Sequence, residues 1–496
     1  MSKAWSAPSK RSGRRREPPA EAAAGRGPRG AEPGGLSVTR LAILGGGPAG
    51  YVAALRARQL GAEVTLVEMD RLGGVCTNRG CIPSKTLLRS AEIARLVRSA
   101  GEFGVQAELQ SIEWQQVMAR KQRVVDTMVK GIEYLMDRHG VRVVKGRGRL
   151  VEPLVMSVET EQGTETIRAD RVLLCPGSIP ARLPVPGAEG PGVMTSDQVM
   201  ELPERPESLA IIGGGYIGAE LADFFDAMGT RVAIVEMLPR LLPQSDEEMS
   251  AELARAFRRR RISVSVNARV TGIERRNGCQ VVHFTQGDEV KQVEAQAVLQ
   301  AVGRVPNTEG IGLAEVGVEM DGRKVKVNNR LETSVPGVYA CGDAIGRIML
   351  AHVGSAEGKV AAANALGQDV EMDYTAIPTG IYTHPEIGST GLTEAEARDR
   401  GFDIKVGRFH FRAAGKAVAE GEREGLVKII ADAKTGRIIG SHIAGPHATD
   451  LIHEVVLALK LGATAEDIGE MVHAHPTFSE PIMEAAEDAL GVAIHK

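Results

Sequence analysis

The sequence has few cysteines, no strong excess of charge and no long apolar run. Its five cysteines are too few for the disulfide framework of a small secreted domain, and the odd number leaves at least one unpaired. A net charge of −3 gives no whole-chain argument for binding nucleic acid or an acidic membrane. No apolar run approaches the ~18 residues of a membrane span, and no signal-peptide core follows the start. We therefore expect a cytoplasmic protein without nucleic-acid or membrane partners.

The length predicts several domains and the composition sets one segment apart. A chain of 496 residues is too long for one hydrophobic core, so about two to four domains are expected. Residues 1–36 are rich in Arg, Pro, Ala and Gly and show no apolar periodicity. Such a segment buries too little surface to offset its ordering entropy, so a disordered basic tail is predicted there. Its prolines and glutamates spoil an amphipathic helix, which argues against an organelle-transit segment.

A glycine-rich turn follows the first apolar strand. The stretch "RLAILGGGPAGYVAALRARQLGAEVTLVEMD" indicates a strand, a turn, a helix and a second strand, with G-x-G-x-x-G at Gly45, Gly47 and Gly50. These glycines permit a tight turn, close approach to a pyrophosphate and close helix–strand packing. The helix N-terminus favours the anion. Glu68 stands where an acid accepts a hydrogen bond from a ribose hydroxyl, so this unit is predicted to bind a dinucleotide.

The same pattern occurs a second time. "SLAIIGGGYIGAELADFFDAMGTRVAIVEM" carries Gly213, Gly215 and Gly218, and Glu236 follows at the same spacing as in the first unit. Two such units indicate two dinucleotides, between which electrons pass. A carboxylate at Glu236 hydrogen-bonds a free 2′-hydroxyl and repels a 2′-phosphate, so the second dinucleotide should be NAD rather than NADP.

Two cysteines lie close together directly after the first unit, in "GGVCTNRGCIPSK". Zinc sites need four ligands at short spacings, and no second cysteine pair accompanies Cys76 and Cys81, so no metal site is predicted. On an ideal helix, residues five apart have Cα atoms roughly 8–9 Å apart, whereas a disulfide needs less than about 7 Å. Gly80 and Pro83 allow the distortion that a bridge requires. A disulfide in such a turn is comparatively reducible, so the pair is interpreted as a redox centre.

These motifs, together with "AVGRVPNT", "VPGVYACGDAIGRIMLAH", "GPHATDLIHE" and "HAHPTFSE", resemble those of the flavin-dependent disulfide oxidoreductases. The resemblance runs from Arg40 to the end and is greatest to the class I branch that oxidises dihydrolipoyl groups. It implies an α/β fold with two Rossmann-like dinucleotide-binding domains and a C-terminal α+β dimerisation domain. The implied borders are 40–185 with 307–372 for the FAD domain, 186–306 for the NAD domain and 373–496 for the interface domain.

The resemblance also implies roles for individual residues. Cys81 would lie against the flavin, Cys76 would exchange with the substrate, and Lys85 would pair with Glu220. The implied FAD-binding residues are Gly45, Gly47, Gly50, Glu68, Lys85, Gly148, Gly177, Ser178, Asp343, Met349, Leu350, Ala351 and His352. The implied NAD-binding residues are Gly213, Gly215, Gly218, Glu220, Glu236, Val270 and Gly303.

The remaining cysteines are predicted to be buried small hydrophobic residues. Cys175, Cys279 and Cys341 stand far apart in the sequence, and an unpaired cysteine is among the most buried residue types. Cys175 belongs to "CPGS", where the family usually reads Ala-Thr-Gly-Ser. Pro176 has no backbone N–H to donate, so a flavin contact at this position is in doubt, whereas Gly177 and Ser178 match the family. Cys175 is interpreted as a packing residue rather than a third redox thiol.

A dithiol must lose protons to attack a disulfide, so a base is expected near Cys76. The stretch "HAHPTFSE" offers His473 and His475, and a carboxylate that accepts from one ring nitrogen leaves the other free to take a proton. The resemblance implies that His475 is the base, that Glu480 orients it, and that both come from the partner subunit of a homodimer. The apolar segment 448–462 fits an interface helix or an ordinary core helix.

The function implied by the resemblance is oxidation of protein-bound dihydrolipoyl groups, with NAD reduced through the disulfide and FAD. The implied partners are lipoyl-bearing components of 2-oxoacid dehydrogenase or glycine-cleavage complexes. The alternatives are another flavin disulfide or mercuric reductase and a flavin redox sensor. A mercuric reductase would carry a C-terminal cysteine pair, whereas no cysteine follows Cys341. A glutathione-type enzyme would favour NADP, which the carboxylate of Glu236 argues against. A redox sensor would not need a proton acceptor such as His475.

Overall fold

The computed structural model describes residues 38–496, and the basic tail predicted at residues 1–36 lies outside the described residues. The strands, numbered in chain order, are β1 Arg40–Leu44, β2 Glu63–Glu68, β3 Arg142–Lys145, β4 Arg147–Glu152, β5 Val155–Thr160, β6 Gly163–Arg168, β7 Arg171–Leu174, β8 Ser178–Pro180, β9 Val193–Thr195, β10 Ser208–Ile212, β11 Arg231–Val235, β12 Ser263–Ser265, β13 Ala268–Arg276, β14 Cys279–Gln286, β15 Glu289–Ala295, β16 Ala297–Gln300, β17 Arg304–Pro306, β18 Met320–Asp321, β19 Lys324–Val325, β20 Val338–Ala340, β21 Thr379–Ile381, β22 Glu386–Gly391, β23 Ile404–His410, β24 Leu426–Asp432 and β25 Ile438–Gly445.

The α-helices are numbered in the same way and lie between these strands. They are α1 Pro48–Gln59, α2 Gly74–Asn78, α3 Cys81–Ser99, α4 Trp114–Arg138, α5 Ser196–Val199, α6 Tyr216–Ala227, α7 Glu247–Arg259, α8 Ala351–Ala365, α9 Glu394–Asp399, α10 Gly415–Glu420, α11 Ala448–Leu461, α12 Ala465–Gly469 and α13 Glu480–Leu490. Short 3₁₀ turns span Ala100–Phe103, Gly342–Ile345 and Phe411–Ala413.

The first sheet is parallel, with the strand order β20-β7-β1-β2-β3. Its central strand β1 reads "RLAIL" and is buried after its first residue, as expected for a parallel strand covered on both faces. Helices α1 and α8 pack closely, because Gly358 has no side chain: an added Cβ would lie 2.3 Å from the carbonyl oxygen of Ala49. The edge strand β20 reaches this sheet from a distant part of the chain.

The second sheet is also parallel, with the order β12-β11-β10-β16-β9. All five residues of β10, "SLAII", are buried. The succession β10–α6–β11 repeats the plan of β1–α1–β2. In sheets of this kind, ligands bind at the carboxyl ends of the strands, so each glycine turn lies at the edge where a dinucleotide is expected.

Smaller antiparallel pairings complete this part of the molecule. Strands β4, β5 and β6 form one three-stranded sheet, and β13, β14 and β15 form another. Strand β8 pairs with β17, and β18 pairs with β19. The β8–β17 pairing joins the chain segments that precede and follow the second sheet.

The third large sheet is antiparallel, with the order β21-β22-β25-β24-β23. Helix α11 packs against β22 and β25, whereas α13 packs against β23 and β24. Apolar side chains of the sheet, such as Val427 and Ile443, form a core with Ile452 of α11 and Ile482 of α13. This helix-and-sheet unit carries the segment that contains His475 and Glu480.

A buried ammonium group joins the third sheet to helix α7. Lys428 Nζ lies 3.0 Å from Asp246, 2.7 Å from Glu248 and 2.9 Å from Glu394, and Arg408 also pairs with the two glutamates. Burial alone lowers the pKa of Lys428, but hydrogen bonds to Glu248 and Glu394 and the charge of Asp246 outweigh it and raise the pKa. The charge is therefore stable in the interior because it is paired.

The predicted fold class is confirmed: two Rossmann-like parallel sheets precede a C-terminal α+β unit. The domain borders drawn from the sequence stay a prediction. Among residues 38–496, no helix combines the length and the apolar character that crossing a membrane requires.

Gly407 on β23 sets the distance between the third sheet and α13. An added Cβ would lie 1.9 Å from the oxygen of Ala485 and 2.4 Å from the nitrogen of Ala489. We predict that Gly407→Ala pushes α13 away and lowers the free energy of unfolding by about 1–3 kcal/mol, seen as a lower thermal midpoint by circular dichroism. Gly415→Ala is the matched control, because in the described chain a Cβ there meets no atom within 4 Å. Equal midpoints for the two variants would contradict this packing.

Candidate active site

The first glycine turn is built for close backbone approach. Gly45 has φ +99°, and a Cβ there would lie 2.1 Å from the carbonyl oxygen of Cys175. A Cβ at Gly50 would lie 1.8 Å from the oxygen of Gly45, so helix α1 can pack against β1 only with glycine at this position. Gly47 is the N-cap of α1 and brings no side chain in front of the helix N-terminus. This cradle fits a pyrophosphate.

Glu68, at the end of β2, closes the first turn. Its carboxylate accepts hydrogen bonds from the backbone N–H groups of Gly46, at 2.7 Å, and Asp70, at 2.8 Å. Glu236, which follows β11, does the same at the second turn with Gly214 and Leu238. The two acids that the spacing singled out thus occupy equivalent positions in the two sheets.

The second turn repeats the geometry of the first. Gly213 has φ +105°, and a Cβ at Gly218 would lie 2.1 Å from the oxygen of Gly213. Gly215 is the N-cap of α6. Gly303 follows β16 with φ +107° at the same edge of the sheet. Val270 on β13 is buried in the apolar cluster below that edge.

The cysteine pair lies at a break between two helices. Cys76 is in the short helix α2, and Cys81 is the first residue of α3. Gly80 is the N-cap of α3, with φ −126° and ψ −106°, so one continuous helix does not run through the pair. In the described chain, both cysteines are free thiols and half-buried. The distortion expected at Gly80 is therefore present.

The two thiols differ in acidity. A hydrogen bond from Cys76, together with the nearby charge of Lys85, lowers the pKa of Cys81 to about 7. The same hydrogen bond and burial raise the pKa of Cys76. Cys81 is thus the thiol of the pair that carries negative charge near neutral pH, and Cys76 retains the proton.

Lys85 forms an ion pair with Glu220 across the cleft. Its Nζ lies 3.0 Å and 2.8 Å from the two carboxylate oxygens, and Glu220 is only 4% exposed. The ammonium also lies 4.3 Å from the ring centre of Tyr382, whose backbone N–H donates to Glu220. Burial lowers the pKa of Lys85, but the charge of Glu220 and the hydrogen bond to it outweigh burial and raise it.

A polar network lies between β8, β17 and the loop after β20. Ser178 Oγ donates to Asp343 at 2.5 Å. Arg304 donates from Nε to Ser178 Oγ at 2.8 Å, and its other nitrogens reach the Ser178 carbonyl and Asp197. Arg304 and Asp197 line the cleft, yet sequence reasoning missed both. Arg304 stands in the quoted stretch "AVGRVPNT", of which only Gly303 was selected.

One cleft brings together most of the residues predicted for FAD and the thiols. Its lining includes Gly45, Gly47, Glu68, Cys76, Cys81, Lys85, Gly148, Gly177, Ser178, Glu220, Asp343, Met349, Leu350 and Ala351. Among the described residues, the predicted site residues outside this lining are Gly50, His352, Gly213, Gly215, Gly218, Glu236, Val270, Gly303, His475 and Glu480. His352 Nε2 lies 2.8 Å from the carbonyl oxygen of Pro378.

His475 and Glu480 form a pair on the surface of the third unit. His475 Nδ1 lies 2.7 Å from Glu480, which also accepts from the N–H of Thr477, and the imidazole is 77% exposed. Burial raises the pKa of Glu480, but its hydrogen bonds to Thr477 and His475 outweigh this and lower it. His473 differs, because its side chain is 3% exposed and contacts Glu454. Within the described chain, this pair does not line the cleft that holds the cysteines.

The cysteines outside the motif divide into two kinds. Cys175 and Cys341 are buried, 5% and 0% exposed, as predicted. Cys279 is only half-buried at the start of β14, so its prediction as a buried residue is wrong. Strand β14 belongs to a small antiparallel sheet, which leaves its ends accessible.

Comparison with known proteins agrees with this geometry. Residues 39–358 match the family described as pyridine nucleotide-disulphide oxidoreductase, and residues 377–486 match the dimerisation domain of that family. The chain belongs to the pyridine nucleotide-disulphide oxidoreductase family. The match to the dimerisation domain supports a homodimer.

Relatives at the level of sequence and structure span nearly the whole chain. A dihydrolipoyl dehydrogenase of Bacillus subtilis is 38% identical, covering 92% of this chain and 99% of its own length. One from Geobacillus stearothermophilus is 39% identical, with 92% and 97% coverage. Among solved structures, LpdA from Mycobacterium tuberculosis has a TM-score of 0.85 at 30% identity, covering 91% and 99% of the two chains. The HOCl-induced flavoprotein disulfide reductase RclA from Escherichia coli has a TM-score of 0.81 at 25% identity, with 90% and 99% coverage.

The cofactors are FAD and NAD, and the protein is an FAD-dependent oxidoreductase. The residues present fit both groups, since each glycine turn offers a helix N-terminus and a backbone cradle that a Cβ would fill. FAD fits the first turn, whose cleft also contains the thiols. NAD fits the second turn, where the carboxylate of Glu236 disfavours a 2′-phosphate.

The acidity of Cys81 gives a test of this site. In the reduced protein, we predict that Cys81 loses its proton with a midpoint near pH 7, so the thiolate prevails above that pH. Lys85→Met should raise the midpoint, because the ammonium that stabilises the thiolate is removed. The measurement is a pH titration of thiolate ultraviolet absorbance, taken as the difference from the Cys81→Ser variant. Lys405→Met, on β23, is the control and should leave the midpoint unchanged; a Lys85→Met midpoint equal to that of the parent would refute the assignment.

Proposed function

We propose that the chain oxidises protein-bound dihydrolipoyl groups to lipoyl groups and reduces NAD to NADH. The observation that carries this proposal is the Cys76–Cys81 pair, which shares one cleft with the first glycine turn and with the Lys85–Glu220 ion pair. The relatives named dihydrolipoyl dehydrogenase support the choice of substrate.

The proposed chemistry begins with thiol–disulfide exchange. In the oxidised protein, a substrate thiolate attacks Cys76 and releases Cys81. The second substrate thiol then displaces Cys76, so one S–S bond forms in the substrate as one breaks in the protein. Cys81 is suited to leave because its pKa is lowered, and thiols of lower pKa leave faster. FAD, when bound in this cleft, supplies the two-electron relay from the protein thiols to NAD.

The proposed base is His475. Its Nδ1 is held by Glu480 at 2.7 Å, which leaves Nε2 to accept a proton from the substrate dithiol. The resulting imidazolium is stabilised by the same carboxylate. His473 is bound at both ring nitrogens, to Met471 and Glu454, and is therefore a poor candidate.

The base is proposed to act on the thiols of the partner subunit. His475 is exposed, Val472 three residues before it is 95% exposed, and Leu461 at the end of α11 is 75% exposed. Large apolar side chains exposed on the same unit are typical of a contact surface. A second copy of the chain would cover them and bring the imidazole to a cleft that lacks it among its described residues.

The proposed partners are lipoyl-bearing components of 2-oxoacid dehydrogenase or glycine-cleavage complexes. A cytoplasmic location is proposed with them, since a thiol pair that cycles between dithiol and disulfide is typical of a reducing compartment. The borders 40–185 with 307–372, 186–306 and 373–496 are proposed for the FAD, NAD and interface domains. The sheets support this division, because each large sheet lies almost wholly within one of the ranges.

The two half-reactions should respond differently to loss of the base. We predict that His475→Gln slows dihydrolipoamide oxidation by about 10²–10⁴-fold and leaves electron transfer from NADH to a dye largely intact, because only the dithiol reaction needs a proton acceptor. The measurement compares both rates at one pH. His473→Gln is the matched control and should change neither rate strongly. A larger loss in His473→Gln, or an equal loss of the dye reaction in His475→Gln, would show that the base is wrongly assigned.

Mixed dimers test whether the site is shared between subunits. We predict that the Cys76→Ser homodimer is inactive with dihydrolipoamide and the His475→Gln homodimer strongly slowed, whereas a heterodimer of the two variants regains one intact site. That site takes its thiols from the His475→Gln chain and its imidazole from the Cys76→Ser chain. The measurement is the activity of heterodimers purified through two different affinity tags. A heterodimer no more active than the His475→Gln homodimer would place the base and the thiols in the same chain.

A further inference from the structure

Cys175 and Cys341 stand far apart in the sequence but meet at the cofactor cleft. Their Sγ atoms are 3.4 Å apart, and both side chains are buried. Cys175 directly follows β7 and Cys341 directly follows β20, and these parallel strands pair through Leu174 and Ala340. Both cysteines line the cleft that fits FAD. The thiol–disulfide reaction proposed above uses neither of them.

We propose that Cys175 and Cys341 are a second redox-active thiol pair, which a hydroperoxide oxidises to a disulfide that fastens the floor of the FAD cleft. This site is independent of the Cys76–Cys81 pair and of the substrate. It departs from the interpretation of Cys175 as a packing residue, because the sequence did not show that Cys341 lies beside it.

The backbone around the pair suits a disulfide. Neighbouring strands lie about 4.8 Å apart, and bridged cysteines have Cα atoms about 4.4–6.8 Å apart. The backbone N–H of Cys341 donates to Leu174 at 3.1 Å, so the strand spacing persists up to the cysteines. The thiols are already in contact, and rotation of the side chains can bring them to bonding distance without moving the strands.

The reaction balances with one molecule of hydroperoxide. Cys175 attacks the peroxide, becomes a sulfenic acid and releases water or an alcohol. The Cys341 sulfur then attacks the Cys175 sulfur and forms the S–S bond. The hydroxide of the sulfenic acid takes the Cys341 proton and leaves as water. A hydrogen bond to Cys175 and burial raise the pKa of Cys341, so Cys341 brings the proton that leaves with the hydroxide. Because both side chains are buried, this oxidation should be slower than that of Cys76 and Cys81.

The disulfide would connect two segments that form the cleft floor. One segment runs from Cys175 to Ser178 and the other from Cys341 to Asp343, and the Ser178–Asp343 hydrogen bond of 2.5 Å already joins their far ends. The turn at Gly45 rests directly on the Cys175 carbonyl. The cysteines are 166 positions apart, so a bond between them closes a long loop and restricts the unfolded chain. The floor should then hold FAD to higher temperature.

The test uses the FAD-bound full chain with Cys76→Ser and Cys81→Ser, so that only three cysteines remain. After treatment with hydrogen peroxide, non-reducing digestion and mass spectrometry should identify a peptide joining Cys175 to Cys341. Flavin fluorescence during heating should show FAD release at least about 2 °C higher in the oxidised protein than in the same protein reduced with dithiothreitol. Adding Cys279→Ala should preserve both results, whereas adding Cys175→Ala or Cys341→Ala should remove both.

Two results would overturn the proposal. One is peroxide treatment that leaves Cys175 and Cys341 unlinked, whether unmodified or oxidised separately to sulfinic acids. The other is a linked peptide without a rise in the temperature of FAD release. The peptide measurement is made on the Cys76→Ser, Cys81→Ser protein and needs no substitution at Cys175 or Cys341, so a poorly folding Cys175→Ala or Cys341→Ala variant does not prevent a decision.

Discussion

The ion pair between Lys85 and Glu220 is the interaction on which the geometry of the site most depends. Lys85 lies one turn after Cys81 on α3, and Glu220 lies on α6, directly behind the second glycine turn. The Tyr382 backbone, which follows β21 of the third sheet, donates to the same carboxylate. One partly buried ion pair therefore connects the helix that carries Cys81, the second sheet and the third sheet. Removing Lys85 would leave the buried carboxylate of Glu220 without its charged partner, which is destabilising.

Local patterns accounted for the parts of the site that lie within one supersecondary unit. The glycine turns and the acids Glu68 and Glu236 fall within single strand–turn–helix–strand stretches, where spacing alone determines the geometry. Lys85 and Glu220 are 135 positions apart, and only the family resemblance joined them. The repeated units likewise indicated the two dinucleotide-binding units, whereas only the resemblance implied the C-terminal α+β domain.

Residues that meet through sheet pairing could not be found from spacing. Arg304 reaches Ser178 only because β8 and β17 pair, and Cys175 reaches Cys341 only because β20 is inserted beside β7. Neither pairing has a signature in the sequence, since strand order depends on the packing of the whole domain. For Cys279, the residue type alone gave the wrong prediction. Cysteine is usually buried, but Cys279 begins a strand of a small three-stranded sheet and is only half-buried.

The late position of β20 has a consequence for biosynthesis. The first sheet begins with β1 at Arg40, yet its edge strand, Val338–Ala340, emerges from the ribosome only after the whole second sheet has been made. The second sheet draws its strands from one continuous stretch of chain, so it can fold while translation continues, as domains generally do. Until β20 arrives, the edge of β7 has unpaired backbone groups, and such an edge can pair with other chains. The edge of β7 therefore stays unpaired while more than a hundred residues, from Leu174 to Val338, are synthesised. During this period the exposed strand is a site for chaperone binding.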